Sequence, residues 1–359
     1  MKEHLFAIIM SGGRGKRFWP MSQKLLPKQF MHFVGEGTLF QQLVRKLRSL
    51  IPQDRIFTVT NETYKDVIQE QVPDFLEENI IVEPIRRNTA PCIGLSTIHI
   101  QRIDPEATTI VLPSDQFIAD AREFADVLTT GVAVAEQHDV LVTLGIPPDS
   151  PHAGYGYIHA DREFKRVQER PVLRVDRFIE KPDEPTAKRL LEAGGSYWNA
   201  GIFIWRASII MEQFRAYLPM VFEHLMALQP FLGTPQEKET LATFYSSMPS
   251  ISIDYGIMQR TSPIVMIPVE MGWSDIGSWA ALEKIYGTDK DKNLIRGDLV
   301  FTADVTRSLI VSDGQVIAVG IQDLIVIQRE DSLLICAKGL EDRIPDLVDQ
   351  LESSRESKE

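Results

Sequence analysis

The sequence predicts a doubly wound α/β domain with a mostly parallel sheet, followed by a small C-terminal β element. Short apolar runs alternate with longer helical patterns over residues 1–287, and short strands punctuated by glycines follow from residue 293. A continuous apolar run is typical of a strand buried on both faces, and strand–helix alternation favours parallel strands covered by helices. A chain of 359 residues has room for roughly two domains. We therefore expect one domain over 1–287 and a second over 293–359.

The first strand is expected at Leu5–Met10, where every residue is apolar. Similar runs predict the next strands: Ile56–Thr60, Ile80–Glu83, Thr109–Leu112, Val140–Leu144, Ala200–Trp205 and Ile264–Val269. Apolar residues at helical spacing predict the helices between them: Leu39–Leu50, Pro91–Ile103, Glu123–Gln137 and Thr186–Ala193.

The C-terminal region has a different pattern, with short strands and frequent turns. The strands are expected at Leu299–Thr302, Leu309–Val311, Val316–Val319, Leu324–Ile327 and Leu333–Cys336. Their repetition suggests a stacked β element, of which a short β-helix is one form, before a last helix at Glu341–Leu351. Such short strands need burial, either against a second copy in a homodimer or as a cap on the same chain.

Composition excludes several classes of protein. With 44% hydrophobic and 25% charged residues, the chain has the composition of an ordinary globular protein. No apolar run approaches the ~20 residues of a membrane helix, and a net charge of −12 argues against general nucleic-acid binding. Cys92 and Cys336 are too far apart for a metal-ligand motif, and the N-terminus lacks a signal-peptide cleavage site. We expect a cytoplasmic location.

One stretch of the chain is strongly basic and glycine-rich. No acidic residue occurs from His4 to Gly35, although the whole protein is acidic. The cations in it are Arg14, Lys16, Arg17, Lys24 and Lys28, and the glycines after the first strand are Gly12, Gly13 and Gly15. Glycines let main-chain N–H groups approach a phosphate, and cations neutralise its charge. The segment is neither G-x-x-x-x-G-K-[ST] nor G-x-G-x-x-G, the two common nucleotide-binding motifs.

The longer string resembles the signature of the sugar-1-phosphate nucleotidyltransferases. It reads Gly12-Gly13-x-Gly15-x-Arg17-x-x-Pro20, followed by Pro27-Lys28-Gln29-Phe30. Matching segments follow in the same order: Glu83-Pro84, Arg87-Asn88-Thr89-Ala90-Pro91, Leu112-Pro113-Ser114-Asp115, Gly154-Tyr155-Gly156, Phe178-Ile179-Glu180-Lys181-Pro182, Trp198-Asn199-Ala200-Gly201 and Trp273-Ser274-Asp275-Ile276-Gly277. Within this family the pattern is similar to that of the enzymes that form GDP-mannose.

The resemblance implies a reaction in which mannose 1-phosphate attacks the α-phosphorus of GTP, and pyrophosphate leaves. The nucleophile is already an anion, so the protein must mainly overcome repulsion and align two anions. Arg17 and Lys28 are the implied catalytic residues, because they would neutralise charge on the α-phosphate and on the leaving group. The implied nucleotide-binding residues are Gly12, Gly13, Arg14, Gly15, Lys16, Asn88 and Ser114. For Lys16 simple solvation is an equal alternative, and Asn88 could instead cap a helix.

The family resemblance also implies a metal site and a sugar site. Asp115 and Asp275 are the expected ligands of Mg²⁺, although each alone could be a helix cap or a turn residue. Gly154, Glu180, Lys181 and Asn199 are the residues expected to hold the sugar phosphate. In this assignment Glu180 and Asn199 contact hydroxyl groups, and Lys181 contacts the phosphate.

Two alternatives to this function remain at the level of sequence. One is a nucleotidyltransferase for another pair of substrates, such as glucose 1-phosphate with a different nucleotide. The other is a regulatory relative that binds nucleotide sugar without turnover. Such a protein would be expected to lack a loop cation or a metal carboxylate, whereas Arg17, Lys28, Asp115 and Asp275 are all present.

Overall fold

The computed structural model describes residues 3–13, 15–22 and 26–356. The chain divides into two compact units, each assembled from separate stretches of sequence. Unit 1 comprises Met1–Gly12, Leu43–Ser114 and Ile118–Trp273, and unit 2 comprises Gly13–Gln42, Asp115–Phe117 and Ser274–Glu359. The glycine-rich loop therefore belongs to the same unit as the C-terminal region. The domain boundary near residue 290 stays a prediction.

Strands and helices alternate along most of the chain. The strands are β1 Leu5–Met10, β2 Ile56–Asn61, β3 Ile80–Glu83, β4 Thr108–Pro113, β5 Phe117–Ile118, β6 Leu141–Ile146, β7 Tyr157–His159, β8 Arg162–Val167, β9 Arg170–Arg174, β10 Arg177–Ile179, β11 Ser196–Arg206, β12 Ile264–Pro268, β13 Trp273–Ser274, β14 Leu294–Arg296, β15 Val300–Ala303, β16 Leu309–Ser312, β17 Val316–Val319, β18 Leu324–Arg329 and β19 Ser332–Ala337. The α-helices are α1 Leu39–Arg48, α2 Glu62–Gln71, α3 Thr89–Ile103, α4 Ala121–Gln137, α5 Glu184–Ala193, α6 Ala207–Tyr217, α7 Pro219–Leu228, α8 Glu237–Ser247, α9 Trp279–Tyr286 and α10 Ile344–Glu356. None of these helices is long and apolar enough to cross a membrane.

A large mixed sheet forms the centre of unit 1. Its main order is β3-β2-β1-β4-β11-β6-β12-β9-β8. Outside this order, β7 pairs with both β11 and β10. The pairs among β1 to β4 and the pair β6–β12 are parallel, whereas β11 is antiparallel to β4 and to β6. The predicted α/β class with a largely parallel sheet is confirmed. Strand β11, at the centre of the sheet, runs antiparallel to both of its neighbours β4 and β6.

The apolar runs explain why this sheet is the core of unit 1. In β1, Ile8 is fully buried and pairs with Phe57 on one side and Val111 on the other. Burial of a strand on both faces leaves no polar position, which accounts for the unbroken apolar sequence. Side chains of α3, α6 and α7 pack against the sheet in the same apolar cluster.

Unit 2 contains a small stack of mostly parallel strands, in which β19 runs antiparallel to β18. One sheet has the order β14-β16-β18-β19, and β15 pairs with β17 in a second. Leu294, Leu309 and Ile325 are in register on successive strands and are buried in one line. At one corner Asn293 donates to Val305 O at 2.8 Å and accepts from Ser308 N at 3.0 Å. Such inward apolar stacking between turns is the arrangement of a short β-helix, as the sequence suggested.

Candidate active site

The glycine-rich loop begins at a firmly held strand end. Ser11, directly after β1, is buried and donates its main-chain N–H to Val59 O. Thr58 Oγ1 lies 3.0 Å from Ser11 Oγ, and Thr60 Oγ1 donates to Ser11 O at 3.0 Å. The loop therefore leaves the sheet from a fixed point, at the carboxyl edge where open α/β sheets bind ligands.

Gly15 contacts Lys28 so closely that no side chain fits there. Gly15 has φ of 62°, and a Cβ on it would lie 2.5 Å from Lys28 Cβ and 2.9 Å from Lys28 N. A left-handed φ and a main-chain neighbour at that distance both exclude other residues. The first loop of the signature is thereby packed on its second part, Pro27-Lys28-Gln29-Phe30. Gln29 adds a bond from its Nε2 to Gly13 O at 3.2 Å.

Lys28 carries a buried positive charge. Its side chain is 8% exposed, and its ammonium lies 3.1 Å from Asp115 Oδ2 and donates to the main-chain oxygen of Asp275. A buried ammonium is tolerated only with such partners, because losing hydration without compensation is costly. The structure thus brings the predicted catalytic Lys28 together with both predicted metal residues.

A tight turn orients Asp275. Gly277 N donates to Asp275 Oδ1 at 3.1 Å, and a Cβ on Gly277 would lie 2.6 Å from Asp275 Oδ2. Ile276, between them, has φ of 41° and is buried in the apolar core of unit 2. The buried Ile276 anchors the turn, so the carboxylate of Asp275 is held on its own loop.

Two further loop cations, Lys16 and Arg17, have acidic partners from the C-terminal region. Lys16 Nζ forms an ion pair with Asp349, and Arg17 lies 2.8 Å from Asp342. Lys16 to Phe18 form one turn of 3-10 helix, and Phe18 is buried against Phe33 and Trp279. Arg14 and Lys24 lie outside the described residues.

Two predicted nucleotide residues in unit 1 are engaged by the fold itself. Asn88 is exposed, has φ of 69° and caps α3 by accepting from Thr89 N at 2.8 Å. Ser114 is buried, and its hydroxyl donates to Met10 O at 2.9 Å. The structural alternative for Asn88, a helix cap, is therefore realised. Contact of either residue with a nucleotide stays a prediction.

The predicted sugar residues Glu180 and Asn199 meet around Gly156 in unit 1. A Cβ on Gly156 would lie 2.5 Å from Glu180 Oε2 and 3.3 Å from Asn199 Cβ. Asn199 Oδ1 accepts from Thr143 Oγ1 at 3.2 Å and from Gly201 N at 3.0 Å. These bonds and a register shift in β11 after Asn199 fix the orientation of the amide.

Asp254 completes this group, and sequence reasoning missed it. Asn199 Nδ2 donates to Asp254 Oδ1 at 3.1 Å. Burial and the nearby carboxylate of Glu180 raise the pKa of Asp254 to about 7, against smaller opposing effects from Lys181 and Asn199. Asp254 opens a π-helical turn, Asp254–Met258, a conformation that is frequent at functional sites. The only sequence signal would have been an acidic residue inside the apolar stretch 251–258.

Lys181 and Gly154 lie in more exposed parts of unit 1. Lys181 has φ of 47°, and its ammonium lies 3.1 Å from Glu180 Oε1. Gly154 N donates to His152 Nδ1 at 3.1 Å, and His152 stacks on Tyr155 with ring centroids 3.9 Å apart. The segment around Gly154 is therefore braced by aromatic rings, and its contact with a sugar phosphate stays a prediction.

A second perturbed carboxyl lies at the end of β3. Glu83 is buried and accepts a hydrogen bond from the hydroxyl of Tyr245. Burial raises the pKa of Glu83 to about 7. Glu83 belongs to one of the segments that resemble the family, but its burial and its contact with Tyr245 leave no pattern in the sequence.

Comparison with protein families agrees with this geometry. The model of the family described as nucleotidyl transferase matches residues 6–292. The chain belongs to the nucleotidyl transferase family. A second model, described as the mannose-phosphate isomerase/GMP-like β-helix domain, matches residues 299–351, which supports the β-helical interpretation of the C-terminal strands.

Several named relatives resemble this nucleotidyl transferase over nearly its whole length. The mannose-1-phosphate guanylyltransferase of Escherichia coli K12 is 33% identical over 97% of this chain and 74% of the relative. The alginate biosynthesis protein AlgA of Pseudomonas aeruginosa is 33% identical over 96% of this chain and 70% of the relative. A crystal structure from Thermus thermophilus, described as a mannose-1-phosphate geranyltransferase, has a TM-score of 0.86 at 29% identity and covers 98% of this chain and 100% of its own.

The raised pKa of Asp254 predicts a pH-dependent loss of stability. The folded protein holds this proton up to pH about 7, whereas an unfolded aspartate releases it near 3.8. The stability that the protonated carboxyl of Asp254 contributes is therefore fully present below about pH 4 and is lost between about pH 4 and 7. Compared with wild type, Asp254→Asn should become progressively more stable between pH 5 and 7 and change little above 7, as measured by urea unfolding.

Asp298→Asn is the matched control for that measurement, because Asp298 is exposed. The pH dependence of the stability of Asp298→Asn is the baseline for that of Asp254→Asn. A stability difference for Asp254→Asn that varies with pH no more than this baseline would contradict the raised pKa of Asp254.

Proposed function

We propose that this chain transfers the GMP moiety of GTP to mannose 1-phosphate, forming GDP-mannose and pyrophosphate. The observation that carries the proposal is the buried Lys28 ammonium beside Asp115 and Asp275, in a chain similar over 97% of its length to a relative named mannose-1-phosphate guanylyltransferase. The name of the relative supports the identity of the substrates, and the charges gathered around Lys28 support the transfer of a nucleotidyl group.

The chemistry requires an in-line displacement. A phosphate oxygen of mannose 1-phosphate forms a bond to the α-phosphorus of GTP. The bond from that phosphorus to the oxygen bridging to the β-phosphate breaks, and pyrophosphate leaves with the electron pair. No general base is needed, because the attacking phosphate oxygen is already an anion. Charge neutralisation and alignment are then the main contributions of the protein.

Lys28 and Arg17 are the proposed catalytic residues. Lys28 is held rigidly by Gly15, Asp115 and the main chain of Asp275, so its charge is positioned before substrates bind. Preorganised charge of this kind stabilises a transition state without reorganisation. Gly12, Gly13, Gly15, Lys16 and Arg14 would line the triphosphate, with Asn88 and Ser114 near the nucleotide.

The residues around Lys28 suit Mg²⁺. Asp115 and Asp275 both offer carboxylate oxygens, the ligands that Mg²⁺ prefers, and the side chain of Asp115 is 40% exposed. Asp115 and Asp275 would hold the ion, with phosphate oxygens and water as its other ligands. When bound, Mg²⁺ would neutralise phosphate charge. The carboxylates of Asp115 and Asp275 would balance only part of the positive charge of the ion and of Lys28, so the site would stay positive toward the phosphates.

The sugar-phosphate site is proposed at Glu180 and Asn199, with Gly154 and Lys181 beside them. Carboxylate and amide oxygens accept hydrogen bonds from sugar hydroxyls, and the fixed amide of Asn199 would select their directions. Asp254 holds that amide and is proposed as its positioning residue. Lys181 would exchange its contact with Glu180 for the sugar phosphate.

The decisive assay measures pyrophosphate release with a panel of nucleoside triphosphates and sugar 1-phosphates. We expect release only with GTP and mannose 1-phosphate together, loss of activity in excess chelator, and recovery with Mg²⁺. Faster release from UTP with glucose 1-phosphate would move the protein to another member of the family. Tight binding of GDP-mannose without turnover would instead identify a regulatory relative.

We also propose that the protein is cytoplasmic and forms a homodimer through the C-terminal β element. The β15–β17 sheet carries exposed apolar side chains, with Ile317 81% exposed and its register partner Phe301 also exposed. An identical face on a second copy would bury these side chains symmetrically, as two-fold interfaces do. The alternative is that this element serves only as a cap on its own chain.

Replacement of the exposed apolar side chains tests the dimer. Phe301→Glu with Ile317→Glu places charge on the proposed interface, so light scattering should show a monomer where the parent is a dimer. Ile103→Glu is the control, because Ile103 is an exposed apolar residue of α3 in unit 1. A monomeric parent protein, or a charged variant that stays dimeric, would contradict the proposal.

A further inference from the structure

Two cations of the glycine-rich loop are already paired with carboxylates of the C-terminal segment. Arg17 lies 2.8 Å from Asp342, and Lys16 Nζ forms an ion pair with Asp349. We call Asp342 and Asp349 the tail carboxylates. They are separated from their partners by more than 300 positions of sequence, so the contacts depend on the folding of unit 2.

The packing of α10 explains why the tail carboxylates reach the loop. Ile344 and Val348, on the apolar face of α10, are buried in the same cluster as Phe18, which ends the 3-10 turn of the loop. Asp342 lies two positions before Ile344, and Asp349 follows Val348 directly. The apolar contact therefore sets the register that places each carboxylate beside one loop cation.

The pairing is specific to these two positions of an acidic segment. Asp346 lies between them in sequence, in the first turn of α10, and is exposed, and it forms no ion pair with any residue that the structure describes. Asp346 adds a similar negative charge to α10 without pairing with Lys16 or Arg17. It is therefore a matched reference for the effect of charge alone.

We infer that the tail carboxylates are exchangeable counter-ions of the phosphate-binding loop, which the phosphates of the nucleotide displace when they bind. The identity of the incoming polyanion rests on the proposed function. A triphosphate carries more negative charge than the two carboxylates together and offers several acceptor oxygens to each cation. Ion pairs as exposed as these are weak, so a bound polyanion can replace them.

The inference gives the C-terminal segment a measurable effect on nucleotide affinity. With the carboxylates in place, an incoming polyanion must separate two ion pairs and then lie near two displaced negative charges. Removal of the carboxylates abolishes both costs. Because these groups are partly exposed, their effect should shrink as salt screens it.

The test compares three proteins: the double variant that carries both Asp342→Asn and Asp349→Asn, the single variant Asp346→Asn, and wild type. Binding of inorganic tripolyphosphate and of GTP to the full chain is measured by isothermal titration calorimetry. In about 50 mM salt we expect the double variant to bind both ligands ~3–10-fold more tightly than wild type, a range set by one or two weak exposed ion pairs. In about 0.5 M salt the difference should fall below ~2-fold, and Asp346→Asn should resemble wild type throughout.

Hydrogen exchange gives a second reading that does not depend on a variant. If tripolyphosphate displaces the tail carboxylates, amides of residues 341–352 should exchange faster in wild type when the ligand is saturating. Unchanged exchange there, or a double variant that binds no more tightly than Asp346→Asn, would overturn the inference. Weaker binding by the double variant would also overturn it, because the carboxylates would then be aligning the cations for the ligand.

The outcome is separable from that of the proposed function. Tripolyphosphate has neither base nor sugar, so its binding tests the counter-ions even if GTP and mannose 1-phosphate prove to be the wrong substrates. Conversely, suppose that the enzyme turns over those substrates while the double variant binds tripolyphosphate no more tightly than wild type. That result would support the proposed function and contradict the inference about the tail carboxylates. Circular dichroism of each variant establishes that the comparison is between folded proteins.

Discussion

The buried ammonium of Lys28 is the interaction on which the candidate active site depends. A positive charge that is 8% exposed must have partners, and here they are a carboxylate from Asp115 and a main-chain oxygen from Asp275. Those three residues come from distant parts of the sequence. By satisfying one buried charge, the fold gathers the lysine motif and both acidic motifs of the family into unit 2.

Glycines make such close arrangements of charge feasible in both units. Gly15 lets the glycine-rich loop lie directly on the main chain of Lys28, and Gly156 leaves room for the carboxylate of Glu180 beside Asn199. Any side chain at these two positions would displace a functional group. The glycines at these two positions thus serve the placement of charged side chains.

Much of the architecture follows from the sequence, because buried strands leave a strong local pattern. The apolar runs locate β1, β3 and β12 almost to the residue, and the glycine-spaced strands indicate the β-helix. Strand β8 was missed because its residues, Arg162–Val167, are largely polar and give no such run. The direction of β11 was also missed, since local apolarity does not specify whether a neighbouring strand runs parallel.

Only those residues of the candidate site that lie within a family motif could be predicted from the sequence. Lys28, Asp115 and Asp275 were found through family resemblance, and the structure places them together. The raised pKa of Asp254 and the ion pairs of the tail carboxylates could not be predicted from local sequence, because they arise from burial and from neighbours that are distant in sequence. Charge counting alone identified the basic loop but not the acidic residues that face it.

The role of the Lys28 ammonium is tested most directly by comparing the steady-state kinetics of the variants Lys28→Met and Lys181→Met. Methionine has a similar length and no charge, so it removes the ammonium while largely keeping the volume. Loss of a preorganised charge at the reacting phosphates should reduce kcat about 10²–10³-fold for Lys28→Met, while Lys181→Met should mainly raise KM for mannose 1-phosphate. A folded Lys28→Met protein with the kcat of wild type would contradict the central role of the buried ammonium.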